Sequence, residues 1–73
     1  MPLRPLAYRE VKRKLESAGF SELSQRGSHV KFVKYASEGI YTAIVPHRRE
    51  IPIGTIRSIL RQAGLTPDEF ESL

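Results

Sequence analysis

Two histidines, His29 and His47, are the side chains of this chain best suited to move a proton near neutral pH, and cysteine is absent. His29 stands in Gln25-Arg26-Gly27-Ser28-His29-Val30-Lys31, with a cation on either side and a glycine that allows close approach to the backbone. That constellation suits RNA. An RNA strand carries its own nucleophile, the 2′-hydroxyl. Cleavage therefore needs only a base for that proton, cations to hold and neutralise the phosphate, and an alignment in line with the leaving oxygen. His29 fits the base, and Arg26 and Lys31, with Lys34 beyond, fit the phosphate. His47 is followed by Arg48 and Arg49, and contact with substrate or a structural role suits it better than chemistry. By residue type alone, a histidine near a hairpin is more often a surface or hydrogen-bonding group than a catalyst.

Other chemistries find little support. The carboxylates are spread over helix faces and the C-terminal tail, so a magnesium cluster would have to assemble from distant positions. The histidines lack the spacing of a zinc site, and no nucleophile elbow, P-loop or dinucleotide fingerprint is present. Without cysteine there are no disulfides, thiolate metal sites or thiol nucleophile. No metal and no cofactor is expected.

The elements that must position His29 follow from periodicity. Ala7, Val11, Leu15 and Ala18 recur at helical spacing, which predicts a first helix over residues 6–18 with Pro5 and Leu6 at its start and Gly19 as a left-handed cap. A weaker strand over residues 20–26 leads through Gly27-Ser28 to a strand from His29. A turn at residues 36–39 then gives the β-branched run 40–45, completing a three-stranded meander. Period two makes a specific claim: if Val30 and Phe32 face the core, His29 and Lys31 point to the other side. Tyr35 and Tyr41 could stack on bases, although packing across the hairpin explains them as well. After a proline-bounded basic loop, residues 46–52, Ile53, Ile56, Ile59, Leu60 and Ala63 predict a second helix closed by Gly64. Thr66-Pro67-Asp68-Glu69 reads as a capping box opening a last short helix that pins Phe70, with Leu73, to the core.

This order predicts an α+β fold, α-β-β-β-α with a short final helix, whose three-stranded antiparallel sheet carries its helices on one face and leaves the other open. The topology resembles that of double-stranded RNA-binding domains. Seventy-three residues at 40% hydrophobic and 27% charged fit one domain over residues 1–73 with one small core. No apolar run reaches the roughly 20 residues needed to cross a bilayer, and residues 1–6 lack the apolar stretch of a signal peptide, so a cytoplasmic protein without membrane contact is expected. The net charge is +4, with eight Lys/Arg against three Glu over residues 1–34, and Asp68, Glu69 and Glu71 near the end. A basic small domain is the footprint of something that meets phosphates, and equally of a soluble domain with solvated charges.

Leu15-Glu16-Ser17-Ala18-Gly19-Phe20, then Arg26-Gly27-Ser28-His29, then Val45-Pro46-His47, then the run from Gly54 through Thr55-Ile56-Arg57-Ser58-Ile59-Leu60-Arg61-Gln62-Ala63-Gly64 to Leu65, with a terminal Asp68-Glu69-Phe70, resembles the HicA family of toxin mRNA interferases. The likeness spans nearly the whole chain. It implies a ribosome-independent endoribonuclease of a type II toxin–antitoxin pair, with mRNA as substrate, no small-molecule cofactor, and a HicB antitoxin that covers the active site. It puts the catalytic histidine on His29, with Gly27 and Ser28 shaping the approach. The chain departs from the family in Ile51-Pro52-Ile53, apolar where the family is usually more polar, so the loop with His47, Arg48 and Arg49 is expected to sit differently. A non-catalytic RNA-binding module with the same fold, and an adaptor that uses the open sheet face only for protein partners, remain alternatives.

Overall fold

The computed structural model describes residues 3–73. Its elements are α1 (Tyr8–Ser17), β1 (Ser21–Arg26), β2 (His29–Ala36), β3 (Gly39–Pro46), α2 (Ile53–Ala63) and α3 (Pro67–Glu71). The strands pair antiparallel in the order β1-β2-β3, and the helices cover one face, which gives the expected α+β architecture with an open, three-stranded sheet.

Alternation along β2 and β3 decides which face is covered. Val30 opposes Val45 and Phe32 opposes Ala43, and all four are fully buried against Val11 and Leu15 of α1, Ile56, Ile59 and Leu60 of α2, and Phe70 of α3. Removing each large apolar side chain from water contributes about 1.5–3 kcal/mol. β1 adds nothing to this core: all six of its residues are exposed, and a bulge shifts the register between Glu22 and Ser24. Phe20, just before it, is the residue that is buried.

The first helix begins later than its apolar spacing predicts. Leu6 fits the stripe, but it exchanges backbone hydrogen bonds with Ile51 (3.2 and 2.7 Å), and the Tyr8 amide donates to the Arg48 carbonyl at 3.2 Å. Ala7 is therefore the N-cap, without a side-chain bond, and the loop serves as a borrowed cap. Proline does not open this helix, which corrects the role expected of Pro5. The same bonds fix the basic loop, because Ile51 is fully buried beneath it.

At the other end the expectations hold. Gly64 closes α2 in the left-handed region (φ 72°), where a side chain would be strained. The Gln62 side-chain oxygen accepts the Ile44 amide at 2.8 Å, tying α2 to the rim of β3. Thr66 and Glu69 form the reciprocal capping box at 3.1 and 2.8 Å. Lys14 is the one buried charged residue described. Its ammonium donates to the carbonyls of Phe70 and Leu73, both at 3.2 Å, and more weakly to Glu71 at 3.5 Å, so α1 ties down the end of α3, where the Phe70 carbonyl also accepts the Leu73 amide at 3.1 Å.

Candidate functional site

His29 opens β2 on the uncovered face, as the alternation requires, and is exposed. Arg26 is its direct partner on β1, reached through the two-residue link Gly27-Ser28. That link turns with Gly27 in the left-handed region (φ 61°) and has open space where a Cβ would stand, which leaves the backbone beside His29 accessible. Lys31 lies two residues along β2 and so shares the face of His29. Among the described residues neither Arg26 nor Lys31 is in an ion pair, whereas Lys12 is paired with Glu22 (3.1 Å) and Arg13 with Glu10 (2.7 Å). The bond from Arg13 holds the Glu10 carboxyl below its usual range. The structure thus gathers one imidazole and two free cations at one end of the open sheet.

Two predicted members fall elsewhere. Lys34 belongs to the helix-covered face: its side chain lies against Gly19, 3.3 Å from where a Cβ would be, and its ammonium sits 6.0 Å from the centre of the Phe20 ring. Counting in twos from His29 separates them, so Lys34 does not join Arg26 and Lys31. His47 lies one residue beyond Pro46, the partner of His29 on β3, and its amide donates to the Ser28 carbonyl at 2.6 Å. Its ring turns toward α1, where it stacks on Tyr8 with centroids 4.0 Å apart and planes 24° from parallel. His47, Arg48 and Arg49, with Ala7, Tyr8 and Arg9, line a shallow open groove of about 410 Å³. Burial, followed by the charge of Glu22, pushes the Tyr8 phenol above its usual range, so it enters the stack as a neutral ring. Tyr8 and Arg9 join this groove although nothing local to the start of α1 signals a partner some 40 residues away.

The tyrosines part company too. Tyr35 opposes Ile40 on the open face and is 72% exposed, while Tyr41 opposes Lys34 on the covered face, where its hydroxyl donates to Glu38 at 3.2 Å. With Ile40 65% and Ile44 38% exposed, the open face carries apolar side chains beside its cations. No helix of the described residues is long and apolar enough to cross a membrane.

A family model described as HicA toxin of bacterial toxin-antitoxin matches residues 8–65. No curated protein sequence matches the chain.

Proposed function

The chain belongs to the HicA toxin family, the toxins of bacterial toxin–antitoxin pairs, and on that premise we propose that it is a metal-independent endoribonuclease acting on mRNA in the cytoplasm. His29 takes the proton of a ribose 2′-hydroxyl. The freed 2′-oxygen attacks the adjacent phosphorus, the bond to the 5′-oxygen breaks, and that oxygen takes a proton from solvent. Arg26 and Lys31 hold the phosphate and offset the charge that accumulates on it in the transition state. Gly27 and Ser28 leave room for the backbone of the strand, and His47, Arg48 and Arg49 meet it farther on.

The observation that carries this reading is the exposed His29 on the uncovered face, with Arg26 directly opposite it and Lys31 beside it. A HicB-like antitoxin silences the toxin by covering the same face. The combination there of apolar side chains and free cations suits an acidic partner with an apolar patch of its own.

The test is cleavage of single-stranded RNA in EDTA by the wild type and by His29→Ala. The substitution is expected to lower the rate about 10²- to 10⁴-fold with the far-UV spectrum unchanged, since an exposed imidazole adds nothing to the core. Undiminished cleavage by the variant removes His29 from the mechanism. RNA left intact by excess wild type, yet bound by it, replaces the enzyme with an RNA-binding module.

A further inference from the structure

Arg9, Arg48 and Arg49 are without ion-pair partners among the described residues and surround a groove on the side of the molecule that His29 does not face. We infer that this groove is a nucleobase subsite for the same RNA strand: one base stacks on the outer face of the His47 ring, and its phosphate meets these arginines. The inference rests on RNA being the substrate and adds where a nucleotide away from the cleaved bond is held.

Three observations carry it. One face of the His47 ring lies on the buried Tyr8 ring, and the backbone amide of the residue is bonded to Ser28. The residue is nonetheless exposed, which leaves ring surface for a base. A flat aromatic surface already seated on a partner ring needs less ordering to take a base, and every base offers a face to stack.

The groove also has the right size and place. Its volume of about 410 Å³ lies within the roughly 300–1,000 Å³ of small-ligand sites. It begins one residue past the strand partner of His29, so a strand leaving the imidazole reaches it by rounding the end of the sheet. Backbone contacts hold both walls: Tyr8 is bonded to Arg48 and Leu6 to Ile51, so the arginines project from anchored chain.

The experiment measures binding of 2′-O-methyl RNA octamers, which lack the nucleophilic hydroxyl and stay intact. A series carrying one abasic nucleotide at each position in turn is compared with the complete octamer, on wild type, His47→Ala and His47→Phe. Wild type is expected to bind one abasic octamer about 5- to 150-fold more weakly than the complete strand. His47→Ala shows the same loss with the complete strand and no added loss at that abasic position, and His47→Phe restores both. Should His47→Ala fold poorly, Arg9→Ala with Arg49→Ala is expected to reduce the log–log salt slope of binding by about 1.4. A flat abasic series, an abasic penalty that persists in His47→Ala, or an unchanged salt slope overturns the subsite while leaving the cleavage reading standing. Failure of wild type to bind the complete octamer at low salt removes the RNA reading itself, and the subsite with it.

Discussion

Lys14→Met keeps a long apolar stem in place and removes only the ammonium that joins α1 to the end of α3. Its bond to the Phe70 carbonyl is the buried one; that oxygen keeps the Leu73 amide at 3.1 Å, so the loss is that of one bond to a charged donor, about 1.5–3 kcal/mol. The bonds to Leu73 and Glu71 are only partly buried, so water replaces them and they add on the order of 1 kcal/mol. Relief from desolvating the ammonium opposes these terms, leaving a net destabilisation of about 2–3 kcal/mol. In a domain of this size each kcal/mol moves Tm by about 4–8 °C, so the midpoint should fall by about 8–24 °C. Urea unfolding followed by circular dichroism, with a thermal scan beside it, reads both quantities. A change below about 0.5 kcal/mol would refute the reasoning, because α3 would then be held by the apolar packing of Phe70 and Leu73.

Gly64→Ala and Gly27→Ala compare two left-handed glycines, at φ 72° and 61°, that differ in surroundings. Each should lose about 1–2 kcal/mol from backbone strain, but only at Gly64 would the new methyl meet a ring, Tyr41 Cε1 at 2.9 Å, so its loss in urea unfolding should be larger. Equal losses would mean the ring gives way freely. For the proposed antitoxin, the rate at which diethyl pyrocarbonate modifies His29 should fall at least ~10-fold in the complex, by exclusion of reagent from a buried interface core. An unchanged rate would replace occlusion by action from a distance.

What the sequence displays and what it hides divide along a physical line. Local rules sufficed for α2 and α3, where Gly64 and the Thr66 capping box announce their own geometry within a few residues. Alternation sufficed for the two faces of β2, which put His29 and Lys31 outside and Val30 and Phe32 inside. The same alternation excludes Lys34 from the group, which nearness in sequence and charge alone would include. The true start of α1 was illegible because Leu6 and Tyr8 take their backbone partners from residues 51 and 48. The Tyr8–His47 stack was hidden for the same reason: it joins residues 39 apart, and composition carries no trace of such a meeting.

The groove that holds this stack depends on two distant stretches of the chain. Its walls are drawn from residues 7–9 and 47–49, and the rungs that brace it run from 6 to 51 and from 8 to 48. A hairpin such as the one bearing His29 can close from neighbouring residues, but contacts across so many residues wait for the later part of the chain. The groove therefore cannot be assembled from either stretch alone: a chain cut before residue 47 holds the hairpin residues of His29 but only one wall of the groove.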